Sequence, residues 1–168
     1  VLTTKIPRGV DAVFASNVAG TSFATRLSGV VSAHCGCDVR FARSERSGWG
    51  VSNGYTRPRR MGVDRWVAMI GAFAEFRADC LVVDAGTAVT IDALDSDGVH
   101  LGGQILPGVT LMADALSSST SDIPGVARAA KATADTMNMF ANNTTDAVRE
   151  GALNAVVGAI ERSIRLLR

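Results

Sequence analysis

Two short stretches of this chain hold residues with the reach for phosphate and hydroxyl chemistry. In DAGTAVTID, Asp84 to Asp92, an acid, a glycine and a threonine follow the apolar run CLVV. Gly86 lets backbone approach a ligand closely, Thr87 adds a hydroxyl beside amides that suit phosphate oxygens, and Asp84 is placed to take a cation directly or through water. The same residues make plain hairpin turns, so the pattern alone leaves both roles open. In NGYTRPRRMGVDRW, Asn53 to Trp66, Asp64 falls where a loop meets a helix. By itself that place reads first as a helix cap, and it is also where a general base could face a bound hydroxyl. Arg65 beside it carries the planar fork that pairs with a substrate carboxylate. Tyr55 offers a ring and a phenol tip, for ligand contact or for packing beneath the loop.

Two weaker patterns follow. In GGQILPGVTLMADAL, Gly102, Gly103 and Gly108 bracket a strand and precede a helix, as at a strand end or where backbone passes close to a ligand. In NNTTDAVREG, Thr144 either caps the last helix or turns its hydroxyl into a cleft. Thr90 and Asp92 alternate with apolar neighbours and read as solvent-facing.

The elements that must carry these residues are legible from periodicity. Ala12 to Val18 reads as a short buried strand, and Thr21 to Ala33 as an amphipathic helix with Phe23, Leu27, Val30 and Val31 on one side. DVRFA alternates as a strand. Gly, Ser, Asn, Pro and Arg from Ser44 to Met61 signal a long loop, of the length that often carries function. A helix begins at Asp64, with Val67, Ile70, Gly71, Ala74 and Ala78 at helical spacing. CLVVD, AVTIDAL and VHLGGQILP read as three strands, the second turn supplied by DSDG. A helix over Thr110 to Leu116, a small-residue loop from Ser117 to Gly125 and a final helix from Thr144 complete the pattern. That last helix is expected to turn Val148, Ala152, Ala155, Val156, Ala159, Ile160 and Ile164 to a core, with Asp146 at its start and Arg162, Arg165 and Arg168 at its end to suit its dipole. Strand and helix alternation followed by three strands and helices indicates an α/β architecture.

At 168 residues and 47% hydrophobic, the chain is long enough to bury a core. A net charge of +1 argues against a general polyanion binder. Charge is nevertheless uneven: Arg40, Arg43, Arg46, Arg57, Arg59, Arg60 and Arg65 crowd one region against Asp38, Glu45 and Asp64, as a solvated loop or as a wall facing an anion or nucleic acid. Cys35, Cys37 and Cys80 make no even disulfide framework, which fits a reducing cytoplasm. His34 beside them lacks the paired spacing of a metal site. No stretch has the apolar continuity of a membrane span.

The segments YTRPRRMGVDR, DAGTAVTID, GGQILPGVTLM and NTTDAVREG, in that order and at these separations, resemble the type III pantothenate kinases, a family related to the Bvg accessory factor proteins. The resemblance is close from about Gly48 to Gly151 and looser upstream. It implies two ribonuclease H-like lobes of the acetate kinase, sugar kinase, Hsp70 and actin superfold, with residues 1–78 belonging to an incomplete first lobe and residues 79–168 to the second. It implies ATP-dependent phosphorylation of the terminal hydroxyl of pantothenate, the first step toward coenzyme A.

Carried onto the matching positions, the resemblance makes Asp64 the proton acceptor and places Tyr55, Gly62, Val63, Asp64, Arg65 and Thr144 around pantothenate. Gly86 and Thr87 then belong to ATP, and Asp84 to a monovalent cation, potassium or ammonium, with magnesium as the nucleotide's partner. A cytoplasmic homodimer without membrane attachment is implied as well. A regulator that assists transcription without turnover, and with it nucleic-acid binding through the arginine-rich loop, is the alternative. The family's Asp-x-Gly-Asn-Thr phosphate stretch and its closing TGG-type segment have no counterpart between Val1 and Arg168, so the chain is expected to be a piece of a longer protein and inert by itself.

Overall fold

The computed structural model of the protein describes residues 9–119 and 140–167. The chain divides into two compact units: Val1–Ala78 with Leu94–His100, and Asp79–Ala93 with Leu101–Arg168. In the first, β1 (Val13–Ala15) and β2 (Val39–Phe41) pair in parallel, Val13 opposite Val39. Parallel neighbours need a crossover, which α1 (Thr21–Cys35) supplies. Its C-cap, Gly36, takes the left-handed φ of 71° and donates its N–H to the Ser32 carbonyl at 3.0 Å. Val31 is its buried residue, whereas Phe23 is largely exposed.

The loop expected over Ser44 to Met61 carries more structure than its composition suggested. β3 (Ser47–Gly48) and β4 (Val51–Ser52) form a small antiparallel pair, and Pro58–Arg60 makes a 3-10 turn. Two buried polar side chains tie it down. Ser44 Oγ donates to the Met61 carbonyl at 2.9 Å, and Asn53 Nδ2 donates to the Glu45 carbonyl at 3.1 Å. Residues 94–100 group with this loop: the Ser52 N–H donates to the Gly98 carbonyl at 2.9 Å. Gly98, at φ 79°, has no room for a side chain, because a Cβ there would run into the Gly50 carbonyl oxygen and the Phe73 ring.

Helix α2 (Val63–Phe76) turns a different face inward from the one expected. Trp66, Met69 and Phe73 are buried together with Arg65, while Val67, Gly71 and Ala74 face solvent and Ala78 lies beyond the helix. The expected stripe was mostly small residues. Burying the larger side chains removes more apolar area, at roughly 25 cal/mol per Å², so the bulky stripe wins.

In the second unit, β5 (Cys80–Ala85), β6 (Ala88–Leu94) and β7 (His100–Pro107) lie side by side in chain order. Helices α3 (Val109–Ser119) and α4 (Thr144–Leu167) pack together, and Val89, Ile91 and Val156 form a core with Leu81, Leu106, Met112 and Ile160 around it. Ser117 to Ser119 are helical rather than loop; the remainder of that expected loop, and Arg168, lie outside the described residues. The inward stripe of α4 is Ala152, Val156, Ala159, Ile160 and Ser163, while Ala155 and Ile164 are exposed. Ser163 keeps its buried place through two bonds, accepting from Gln104 Nε2 at 2.9 Å and donating to the Ala159 carbonyl at 2.8 Å. Asp92, expected to face solvent, is 1% exposed and Thr90 is half-buried. Strand alternation gave their shared face correctly but not what that face would meet. Among the described residues, no helix is long and apolar enough to cross a membrane.

Thr144 does not cap α4. Asn143 does: its Oδ1 accepts the Asp146 N–H at 2.9 Å and its Nδ2 donates to Asp146 Oδ2 at 2.8 Å. Replacing Asn143 by Ala is therefore expected to cost about 1 kcal/mol in urea unfolding of the protein, and Thr144→Ala less than about half of that. Equal losses would contradict this assignment of the cap.

Candidate functional site

Arg65 organises the residues brought together in the first unit. It lies in the first turn of α2 and is 5% exposed. Its Nη1 donates to Tyr55 Oη at 2.8 Å, and its guanidinium carbon lies 5.5 Å from the centroid of the Tyr55 ring. Tyr55 is half-buried, and its own N–H is held by Asn53 Oδ1 at 3.0 Å. The ring stacks on that of His100, with centroids 6.0 Å apart and planes inclined by 26°.

Asp64 is not the cap of α2 either. The N-cap is Gly62, without a side-chain bond, and Asp64 stands one residue inside the helix. Its Oδ1 accepts the Arg65 N–H at 2.8 Å, and the carboxylate remains half-buried. A Cβ on Gly62 would lie 2.6 Å from Asp64 Oδ1, so glycine at 62 leaves the carboxylate its position. Val63 between them is half-buried.

In the second unit, Gly86 and Thr87 form the two-residue turn joining β5 to β6, and Asp84, Gly86 and Thr87 are all exposed. The start of α3 is packed onto this turn. Gly108 donates its N–H to the Thr87 carbonyl at 2.8 Å, and a Cβ on Gly108 would run into the carbonyl oxygens of Gly86 and Thr87. The close backbone approach expected of Gly108 is thus made to the DAGT turn itself. First-turn amides of a helix lack partners within it, so the start of α3 brings such N–H groups beside the Gly86–Thr87 turn.

Thr144 sits elsewhere in the unit, at the rim of a cleft of about 780 Å³ lined by Met112, Leu116, Asn142, Asn143 and Val148 among others; Asp84, Gly86 and Thr87 do not line it. Capping by Asn143 leaves the Thr144 hydroxyl exposed there. In the first unit, Arg46, Arg57 and Arg59 with Glu45 and Pro58 border a second depression of about 500 Å³. Gly102 and Gly103 line a third, with Gln104 and Ser163.

Among the described residues, no three His, Cys, Asp or Glu side chains cluster as a metal site. A cation at Asp84 would draw its remaining oxygens from phosphate, backbone and water, which suits hard ions bound with a nucleotide. Sequence reasoning missed His100, Asn53, Ser44 and Asn143. Only Asn143 left a signal, the Asn-x-x-Asp spacing of a capping box.

The protein is thus of mixed α/β class, with a carboxylate–arginine–tyrosine cluster in one unit and an oxygen-lined turn in the other. The family model described as type III pantothenate kinase matches residues 2–166. The type III pantothenate kinase of Azoarcus sp. (strain BH72) is 42% identical over 147 residues, covering 88% of this chain and 53% of that protein. The one from Herminiimonas arsenicoxydans is 42% identical over 160 residues, covering 93% and 60%. A solved structure from Campylobacter jejuni, assigned to the Baf family of transcriptional activators, superposes with a TM-score of 0.58 at 20% identity, covering 96% of this chain and 66% of that one. The chain belongs to the type III pantothenate kinase family, and it spans about half to three-fifths of the length of these two relatives.

Two outcomes follow from this geometry. Tyr55→Phe removes one acceptor of a buried guanidinium and is expected to destabilise the protein by about 1.5–3 kcal/mol in denaturant titration, the worth of a hydrogen bond to a charged group; a loss below about 0.5 kcal/mol would mean that the bond contributes little. The Cys80 thiol is pushed above its ordinary range by burial and then by the Asp79 charge. The neutral thiol is therefore the form that the fold favours, and its contribution to stability is lost as pH rises through the raised value. Alkylation of Cys80, followed by mass spectrometry, should still be accelerating above pH 9; a plateau below that pH would contradict the shift.

Proposed function

We propose that the complete protein transfers a phosphoryl group from ATP to the terminal hydroxyl of pantothenate. The observation that carries this reading is the family match over residues 2–166, which includes both the Gly62–Arg65 segment and the Asp84–Thr87 turn. Phosphoryl transfer asks little covalent chemistry of a protein and depends on alignment and on neutralising oxygen charge.

In this reading Asp64 accepts the proton of the attacking hydroxyl. A half-buried carboxylate freed from capping, and kept in place by the Arg65 N–H and by the absence of a side chain at Gly62, suits that task. Tyr55, Gly62, Val63 and Arg65 line the pantothenate pocket, and the exposed Thr144 hydroxyl contacts the same substrate. Gly86 and Thr87 receive ATP phosphate oxygens. Asp84 holds a monovalent cation, potassium or ammonium, which with magnesium offsets phosphate charge. The two-lobed ribonuclease H-like architecture, with domains at 1–78 and 79–168, a homodimer and a cytoplasmic location belong to the same proposal. A transcriptional role is the second reading, supported by the exposed arginines at 46, 57 and 59; it requires DNA affinity that falls steeply with salt.

The test is a coupled assay on the complete protein, in which ADP release should require pantothenate and rise with potassium. Asp64→Asn should lower kcat by roughly 10²- to 10⁴-fold, with a stability change of less than about 1 kcal/mol for a first-turn charge. Pantothenate-independent ADP release, or unchanged turnover in the Asp64→Asn variant, would overturn the corresponding assignment.

A further inference from the structure

We infer that His100 is a positioning residue for the substrate site, holding the ring of Tyr55 in the orientation that pantothenate meets. The inference rests on the pantothenate kinase reading for its substrate, and on contacts within the first unit for its geometry. Tyr55 sits on a loop, where a ring would ordinarily exchange between rotamers. Here it is restrained from three directions: Asn53 Oδ1 holds its N–H, Arg65 Nη1 holds its hydroxyl, and the His100 ring lies against it at 6.0 Å, a separation typical of offset aromatic pairs.

His100 acts on the backbone as well. A Cβ on Gly54 would run into the His100 carbonyl oxygen and lie 3.5 Å from its Nδ1, so the chain entering Tyr55 rests directly on this histidine. The histidine is itself firmly placed. It is 2% exposed and follows a tight turn in which Asp95 Oδ1 accepts the N–H groups of Asp97 and Val99 at 3.0 and 2.7 Å, with Gly98 at φ 79°. Val99, next in the chain, bridges to Ser52 three residues before Tyr55. A buried histidine on a braced turn thus supports a loop-borne aromatic ring that remains half-buried.

Preorganising a binding group removes an ordering cost from the bound state. Loss of the brace should therefore weaken ground-state and transition-state binding of pantothenate alike, raising KM with kcat little changed.

The experiment uses the complete protein with ring-labelled tyrosine, the Tyr55 signals being assigned by comparison with Tyr55→Phe. His100→Ala should shift and broaden those signals and raise KM for pantothenate roughly 3- to 10-fold, the scale of one aromatic pair, while KM for ATP stays within about 2-fold. His100→Phe, which keeps a ring of similar shape, should restore a sharp Tyr55 signal and a KM within about 2-fold of the original. Should His100→Ala fail to fold, His100→Leu, which fills the volume without an aromatic face, is read against the Phe variant in the same way. Unshifted Tyr55 signals, an unchanged KM for pantothenate, or KM values for both substrates rising together would overturn the inference. A protein with no pantothenate turnover, but with Tyr55 signals that respond to His100, would overturn the substrate reading and leave the brace standing.

Discussion

A permanently charged guanidinium, only 5% exposed at the start of a helix, is the constraint on which the first unit depends. Its location is doubly unfavourable: burial penalises an unanswered charge, and the N-terminal end of a helix already carries partial positive charge. The guanidinium donates to the Tyr55 hydroxyl ten positions upstream, while the backbone N–H of the same residue is held by the Asp64 carboxylate in the same first turn. Reaching that hydroxyl requires the chain from Ser44 to Met61 to fold back on itself. The buried ties from Ser44 and Asn53, the β3–β4 pair and the 3-10 turn are the means by which a glycine- and arginine-rich segment does so. The acid proposed as proton acceptor, the arginine and the aromatic ring are therefore linked by geometry, and none can be moved without disturbing the others.

The second unit solves a different problem, setting the start of a helix directly against the backbone of a turn. Gly108 matters because of what it lacks. With no Cβ at 108, the residue before α3 can donate to the Thr87 carbonyl, and the helix start is set against the exposed Gly86–Thr87 turn. Such an edge favours anions accompanied by a cation. The core of the unit is built by Leu81, Val89, Ile91 and Leu106 on the strands and Val156 and Ile160 on α4.

Much of this was legible before coordinates. The three strands, the helices near their observed bounds and the residues with chemical reach all follow from periodicity and from the glycine pattern, and the family resemblance rests on four ordered motifs. The failures have physical reasons. Periodicity placed α2's inner face on Val67, Ile70 and Ala74 because several phases of a mostly apolar helix satisfy the same spacing, and side-chain volume decided for Trp66, Met69 and Phe73. Two caps were placed on the more conspicuous side chains, Asp64 and Thr144, when Gly62 and Asn143 fill those positions. His100 could not have been found, since a lone histidine after a turn carries no spacing signal and its partner is 45 residues away in sequence.

The central claim is that Asp64 and Tyr55 define where pantothenate binds. A crystal structure of the complete protein with pantothenate and a non-hydrolysable ATP analogue tests it most directly. The account predicts the substrate's terminal hydroxyl within hydrogen-bonding distance of the Asp64 carboxylate and its chain against the Tyr55 ring. Density for pantothenate elsewhere, with the Asp64 carboxylate facing away from it, would contradict the account.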